Sequence, residues 1–164
     1  MKNVLIISTS LRPNSNSQAL GDQFAKGARE AGHRVEQVSL RGKDIRFCQG
    51  CLACQSLGRC VIKDDSHDIV QKMHDDADPI ARKMLTADVI AFATPIYYYE
   101  MAGQMKSLLD RANWLYSSDY RFGDIYLLTS AAEDDPETPE GAEHGLNGWI
   151  ACFERARLAG TVFA

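Results

Sequence analysis

The 164-residue sequence lacks long hydrophobic runs and any excess of positive charge. The first apolar run, Val4 to Ile7, is too short for a signal peptide or a membrane span. The 18 Lys and Arg are outnumbered by 22 Asp and Glu, and no basic block occurs. Nucleic acid and anionic membranes are therefore poor partners. Because no segment marks the chain for export, we expect a cytoplasmic protein with reduced thiols.

Several common functional motifs are also missing from the sequence. Without G-x-G-x-x-G or G-x-x-x-x-G-K-[ST], neither a Rossmann pyrophosphate turn nor a P-loop is supported. No G-x-S-x-G hydrolase elbow occurs. The third predicted strand ends in Ala93-Thr94, where a receiver domain needs a phosphoacceptor Asp. The four His residues are scattered, without the spacing of a metal site or a catalytic triad, and are expected on the surface.

The pattern that is present predicts one α/β domain over residues 1–164. An apolar share of 45% and a charged share of 24% are ordinary for a globular protein. Apolar runs alternate with helical patterns, which is typical of a parallel sheet. Strands are predicted at residues 4–7, 35–40, 89–94, 125–128 and 161–164. Helices are predicted on the apolar stripes of residues 20–31, 69–73, 80–85, 105–112 and 146–153. Functional groups are expected at the carboxyl ends of the strands.

The loop after the first strand, residues 8–17, is rich in hydrogen-bond donors. It holds five hydroxyls, two carboxamides and one guanidinium. A phosphate needs donors from several directions and some positive charge, which such side chains supply. The amino end of the next helix adds backbone N–H groups and its dipole. Composition alone is equally typical of a polar loop with a good helix N-cap.

The spacing in this loop resembles the S-x-R-x-x-S-N-[ST] signature of NAD(P)H-dependent FMN reductases. Those enzymes have the flavodoxin-like fold, a three-layer sandwich around a central parallel sheet of order 2-1-3-4-5. In them this segment holds the FMN phosphate. The resemblance implies that role for Ser10, Arg12, Asn16 and Ser17. Thr9 stands where many relatives have Gly, and its hydroxyl is expected to act as a further donor.

The loop after the third strand carries the second part of the resemblance. A flavin ring needs an apolar or aromatic wall and backbone N–H groups near the atoms that become negative on reduction. Three consecutive Tyr alone would also fit a turn with aromatic packing. Residues 94–111, however, are similar to the family's T-P-[IV]-Y…K-x-x-[IL]-D-R stretch. The resemblance implies that Pro95, Ile96, Tyr97 and Tyr98 line the flavin ring.

Other residues near the strand ends are assigned with less support from motifs. Lys106, Asp110 and Arg111 match the same stretch, and the last two are expected to be structural. Thr129 and Ala131 lie at the end of the next strand, the third place where such folds approach the flavin. The acidic run that follows, residues 133–135, is interpreted as solvated loop charge.

Four of the five Cys lie close together, in the pattern Cys48-x2-Cys51-x2-Cys54-x5-Cys60. Disulfides are not expected in a reducing compartment, and zinc sites more often separate their Cys pairs by a longer stretch. Soft thiolates suit an iron–sulfur cluster or zinc. The loop, residues 44–62, resembles the compact motif that holds a [4Fe–4S] cluster in iron–sulfur flavoproteins. A cluster, zinc and free thiols all stay open. Cys152 falls on the last helical stripe and is expected in the core.

Two features depart from the resemblance, which covers residues 2–164. Residues 75–84 are interpreted as an insertion before the third strand. The chain stops at Ala164, where relatives complete the fifth strand and add a helix. We therefore expect a truncated last strand and helix, with one sheet face bare or covered by another subunit. A homo-oligomer, either a dimer or a tetramer, is expected.

Three functions follow as hypotheses. The first is an FMN-dependent oxidoreductase that takes hydride from NAD(P)H and passes electrons to a small-molecule or protein acceptor. It needs no side chain as acid or base, because the flavin carries the chemistry. The second is an iron–sulfur flavoprotein that carries electrons through a [4Fe–4S] cluster and FMN. The third is a flavin-free binding module.

Overall fold

A central parallel sheet organises the computed structural model, which describes residues 1–61 and 75–164. Its strands lie in the order β2-β1-β3-β5-β6. The strands are β1 (Asn3–Ser8), β2 (Arg34–Ser39), β3 (Val89–Tyr97), β5 (Asp124–Ser130) and β6 (Arg157–Phe163). A two-residue strand, β4 (Glu100–Met101), pairs antiparallel with the end of β3. Because β4 only extends a hairpin, the main strands keep the predicted flavodoxin-like order, and the predicted fold class is confirmed.

Helices cover both faces of this sheet and complete a three-layer sandwich. The helices are α1 (Asn16–Glu30), α2 (Ala53–Leu57), α3 (Ala77–Thr86), α4 (Gly103–Arg111) and α5 (Glu140–Ile150), with a short 3-10 helix at Asn113–Ser117. Helix α1 packs on one face of the sheet. Helices α3, α4 and α5 contribute to the larger core on the other face. Among the helices of the described residues, none is long and apolar enough to cross a membrane.

Side-chain alternation along the strands explains how both faces are buried. On β1, Leu5 and Ile7 join the core under α3, α4 and α5, whereas Val4 and Ile6 join the core under α1. Strand β3 lies in the middle of the sheet, and all of its residues except Tyr97 are buried. A strand covered on both faces reads as a continuous apolar run, which is why the sequence pattern located β1 and β3.

The segment before β3 forms α3, whose Ile80 and Met84 lie in the main core. The interpretation of residues 75–84 as an insertion relative to the family stays a prediction. The N-cap of α3 is Asp76. Asp78 lies within the first turn, buried, and accepts a hydrogen bond from Arg82 at 2.7 Å. The helix predicted around residues 69–73 lies outside the described residues.

The last part of the chain differs from its sequence pattern in three places. Helix α5 begins at Glu140, six residues before the predicted apolar stripe of residues 146–153. Strand β6 begins at Arg157 and has seven residues, so it is longer than predicted. Cys152 is exposed rather than in the core, because α5 ends at Ile150 and the chain turns there. Phe153, three residues after the end of α5, is still buried.

Candidate functional site

Three loops meet where the carboxyl ends of β1, β3 and β5 lie side by side. The N–H of Thr9 donates to the carbonyl of Ala93 at 2.8 Å, and Pro95 is in register with Ser130. A cavity of about 320 Å³ opens between the loops. Its lining includes seven of the predicted residues: Ser10, Arg12, Asn16, Pro95, Ile96, Tyr97 and Ala131. We call it the first cavity.

The other predicted flavin residues lie outside this lining. Tyr98 lines an adjoining cavity. Ser17 is fully buried, with its hydroxyl 3.5 Å from that of Ser15. Thr129 is also buried, and its hydroxyl donates to the carbonyl of Val162 at 3.3 Å. Ser17 and Thr129 are therefore buried residues that support the loops of the site without lining its cavity.

The first loop presents its polar groups at the amino end of α1. Ser15 is the N-cap, and its hydroxyl accepts from the N–H of Gln18 at 3.2 Å. The hydroxyl of Ser10 accepts from the N–H of Arg12 at 3.3 Å, while the Arg12 side chain is exposed. A 15-residue helix whose amino end opens into a cavity, with a guanidinium beside it, is suited to bind an anion.

Thr9 has a structural role that the sequence did not indicate. Its hydroxyl donates to the hydroxyl of Thr94 at 2.7 Å, and its carbonyl accepts from Gln104 at 2.6 Å. The backbone N–H of Ala102 reaches the same Thr94 hydroxyl at 3.4 Å. Thr9 is completely buried, so it ties the first loop to the end of β3 and is not the further donor expected for a ligand.

A strained hairpin forms one wall of the site. Tyr97 pairs with Glu100, and the two residues between them, Tyr98 and Tyr99, have φ values of 52° and 65°. Positive φ at both central residues defines a type I′ turn, where Asn-Gly is the favoured pair. Non-Gly residues in this conformation cost free energy and cluster at functional sites. Tyr98 is 99% exposed, so burial of its side chain does not offset that cost.

Helix α5 supports the hairpin through a close backbone contact. A Cβ atom on Gly141 would lie 2.2 Å from the carbonyl oxygen of Tyr99. Only glycine allows this approach without displacing the hairpin or the helix. Gly141 therefore helps to fix the position of the tyrosine turn.

A second cavity, of about 410 Å³, adjoins the first and shares four lining residues with it. The shared residues are Ile96, Tyr97, Ala131 and Ala132. Glu133 also lines it and accepts from the hydroxyl of Thr138 at 3.4 Å. The negative charge of Glu133, and a hydrogen bond to it, raise the pKa of Tyr99. Tyr99 therefore stays protonated through the physiological range.

Sequence reasoning missed several lining residues of the two cavities. In the first cavity these are Asn14, Ser15, Ser130 and Ala132; in the second they are Tyr99, Glu133 and Thr138. Asn14 and Ser15 lie inside the donor-rich loop, so its composition was the available signal. Glu133 was interpreted as solvated charge, because the sequence does not show that it lines a cavity beside the hairpin.

The cysteine loop forms a separate site against the end of α4. Cys48, Cys51, Cys54 and Cys60 all line one small cavity of about 40 Å³. Two polar side chains donate to these sulfurs: Arg111 Nε lies 3.3 Å from Cys60 Sγ, and Asn113 Nδ2 lies 3.6 Å from Cys54 Sγ. Arg111 is 2% exposed.

Arg111 also ties the start of this loop to the segment just before α3. Its guanidinium forms a buried, bidentate pair with Asp75 and donates to the carbonyl of Arg46 at 3.0 Å. Burial lowers the pKa of Arg111, but its hydrogen bonds to Asp75 and Cys60 outweigh that effect and raise it. The expectation that Arg111 is structural agrees with this arrangement. Asp110 instead faces solvent and pairs with Lys106 at 2.6 Å.

The cysteine site fits a soft metal in its chemistry but is not assembled as a metal centre here. Four thiols face one cavity, and a cation beside them would offset the charge of bound thiolates. In residues 1–61 and 75–164, however, no three His, Cys, Asp or Glu side chains are arranged to hold a metal ion. All five Cys in the chain are free thiols.

Comparison with known proteins places these loops in a family context. The profile of the NADPH-dependent FMN reductase family matches residues 2–132, which include the first loop, the tyrosine hairpin and the cysteine loop. An iron–sulfur flavoprotein from Methanocaldococcus jannaschii is 34% identical over 109 residues, which are 66% of this chain and 51% of that protein. An iron–sulfur flavoprotein from Archaeoglobus fulgidus is 32% identical over 102 residues, or 62% of this chain and 41% of that protein. The chain thus spans about half the length of the curated relatives that it matches.

Solved structures show the same fold. An azoreductase from Bacillus anthracis superposes with a TM-score of 0.72 at 18% identity, covering 99% of this chain and 86% of that one. The family expected from the two loops is confirmed by the profile match over most of the chain. The chain belongs to the NADPH-dependent FMN reductase family.

Proposed function

We propose that the protein binds FMN in the first cavity and acts as an NAD(P)H-dependent oxidoreductase. The observation that carries this proposal is that phosphate-type donors and an apolar wall line one cavity. Ser10, Arg12 and Asn16 line one part of it, and Pro95, Ile96 and Tyr97 line another. Bound FMN would accept hydride from NAD(P)H and pass the electrons to an acceptor.

The first loop would hold the phosphate group. The exposed guanidinium of Arg12 supplies positive charge, and the amino end of α1 supplies backbone N–H groups and its dipole. Ser15 caps that helix end by accepting from the N–H of Gln18, and it also lines the cavity. Ser17 and Thr129 would act indirectly, by supporting the loops that carry the lining.

The hairpin and the β5 loop would form the flavin-ring part of the site. Pro95 and Ile96 come from the end of the rigid central strand, which gives the wall a fixed position. Ala131 and Ala132 have small side chains, so they leave room on the facing side of the cavity. Tyr98 would lie at the outer edge, where it is open to a second substrate.

Flavin reduction with matched arginine variants tests this proposal. We expect FMN-loaded protein to lose its flavin absorption band when NADPH is added without oxygen. Arg12→Ala should weaken FMN binding at least about tenfold, because a charge-assisted phosphate contact contributes about 1.5–3 kcal/mol. Arg34→Ala removes an exposed cation at the other end of the sheet and should leave binding unchanged. Equal FMN affinity in wild type and Arg12→Ala would argue against the phosphate site.

A second candidate function, an iron–sulfur electron carrier, is favoured by the cysteine site. Four thiols line one cavity there, and Arg111 and Asn113 already donate to two of the sulfurs. With a cluster bound, Cys48, Cys51, Cys54 and Cys60 would be the ligands. The cluster would transfer single electrons, and N–H bonds to its ligand sulfurs would raise its reduction potential.

Iron and sulfide analysis after anaerobic purification tests this second function. We expect about four irons per chain, as a cubane cluster requires, and loss of iron in Cys51→Ser. Asn113→Leu should keep the iron but lower the reduction potential, because it removes the donor to Cys54 Sγ. Asn147→Leu, on the exposed face of α5, is the matched control. Iron-free protein that is unchanged by Cys51→Ser would leave the loop as a structural thiol cluster.

A further inference from the structure

We infer that the second cavity docks a flat, aromatic electron acceptor that carries positive charge. The inference rests on the proposed function, since it names the class of acceptor that would take electrons beside the FMN site. It is carried by the cavity's aromatic lining, by its carboxylate, and by the absence of any opposing cation among the lining residues that the structure describes.

The lining of the second cavity includes exposed aromatic side chains. Tyr97, Tyr98 and Tyr99 all line the second cavity, and they are 49%, 99% and 59% exposed. Tyrosine side chains that stay open to solvent at one cavity are available to a ligand. The faces of such rings stack on flat aromatic molecules and attract cations through their quadrupole.

The second cavity also carries a negative charge. Glu133 is the charged member of the described lining, where no Lys, Arg or His occurs. Thr138 donates to its carboxylate at 3.4 Å. This contact joins the charge of Glu133 to another residue of the cavity lining.

Acidic residues near Glu133 in the sequence add to the negative potential at the second cavity. Residues 131–143 contain six Asp and Glu and no Lys or Arg. Arg12 lines the first cavity but not the second, and a bound phosphate would neutralise it. An anionic acceptor would therefore meet uncompensated repulsion at the second cavity, and a cationic one would be attracted.

The electron balance favours release of such an acceptor after reduction. For a phenothiazinium dye, NAD(P)H and the dye cation give NAD(P)⁺ and the neutral leuco dye. The dye gains two electrons and one proton, which is the hydride that NAD(P)H loses. Because the product is neutral, it loses its attraction to Glu133 and is expected to leave more readily than the substrate.

Three acceptors of different charge test the inference: methylene blue (cationic), menadione (neutral) and methyl orange (anionic, sulfonated). In the FMN-loaded protein, Glu133→Gln keeps the shape of the side chain but removes its charge. We expect kcat/KM for methylene blue to fall about fivefold, that for methyl orange to rise, and that for menadione to stay within about twofold. Glu137→Gln removes a charge from the same loop outside the cavity lining and should have a smaller effect.

Equilibrium binding of methylene blue, measured without NAD(P)H, tests the attraction of a cationic ligand to Glu133 even if turnover is slow. The dye should bind wild type more tightly than Glu133→Gln, and the difference should shrink as salt is added. Equal changes for all three acceptors, or equal dye binding by the two proteins, would overturn the inference. Failure of the wild type to bind FMN or reduce menadione would instead count against the proposed function, while dye binding would still report on the cavity.

Discussion

Two glycines on the same helix provide the sharpest test of how the tyrosine hairpin is held. A Cβ on Gly141 would lie 2.2 Å from the carbonyl oxygen of Tyr99, whereas a Cβ on Gly148 would have no neighbour within 4 Å. Gly141→Ala must therefore separate α5 and the hairpin by roughly 1 Å to restore ordinary contact distances. The same substitution at Gly148 only adds a methyl group on an exposed helix surface.

The two substitutions should change stability in opposite directions. Overpacking costs about 1–3 kcal/mol, and the gain in helix propensity from Gly to Ala offsets up to about 1 kcal/mol of it. We expect Gly141→Ala to lower the free energy of unfolding by about 1–2 kcal/mol. Gly148→Ala should raise it by about 0.5–1 kcal/mol.

Urea unfolding followed by circular dichroism measures both free energies under the same conditions. Methylene blue binding supplies a second readout, because Gly141→Ala should displace the hairpin that lines the second cavity and Gly148→Ala should not. If Gly141→Ala stabilised the protein as much as Gly148→Ala, the close approach of α5 to Tyr99 would be refuted.

Two further predictions concern the hairpin turn and acid stability. Replacing Tyr98 and Tyr99 together by Asn and Gly should raise the free energy of unfolding by about 1 kcal/mol, because that pair suits a type I′ turn. The same variant should bind methylene blue more weakly. Thermal unfolding measures the first effect, and dye titration measures the second. The backbone N–H of Asn3, bonded to Asp88 at 2.7 Å, lowers the pKa of that carboxyl despite partial burial, and the Arg121 guanidinium adds to the effect. This stabilisation is present above the unfolded-state pKa and is lost as pH falls through the folded-state pKa. Asp88→Asn should therefore be less stable than wild type at pH 6 and approach it near pH 2, so a stability difference independent of pH would contradict the assignment.

The sequence pattern predicted the sheet well because its central strands are buried on both faces. The apolar runs at β1 and β3 and the stripe on α1 have the periods that such burial requires. The predicted start of β6, residue 161, lies after its true start at Arg157, because Arg157 and Gly160 interrupt the apolar pattern. Cys152 was predicted in the core because the apolar stripe of the last helix continues to Phe153. The helix α5 itself ends at Ile150, and Cys152 is exposed.

The donor-rich loop and the Pro95–Tyr97 wall could be anticipated because motifs report local chemistry. The contacts of Thr9, Gly141 and Arg111 could not, because each is made with a residue far along the chain; for Arg111 the sequence predicted a structural role but not its partners. Thr9 bonds to Thr94, and Arg111 reaches Cys60 across the cysteine loop. Spacing along the sequence shows which residues share an element, but not which side chains meet across the sheet.

Comparing FMN with riboflavin tests the central claim most directly. Calorimetric titration of flavin-free protein should show FMN binding at least about a hundredfold more tightly than riboflavin, because only FMN offers a phosphate to Arg12 and the amino end of α1. In Arg12→Ala this preference should narrow, with riboflavin binding unchanged. Equal affinity for the two flavins in the wild type, or no binding of either, would contradict the assignment of the first cavity as an FMN site.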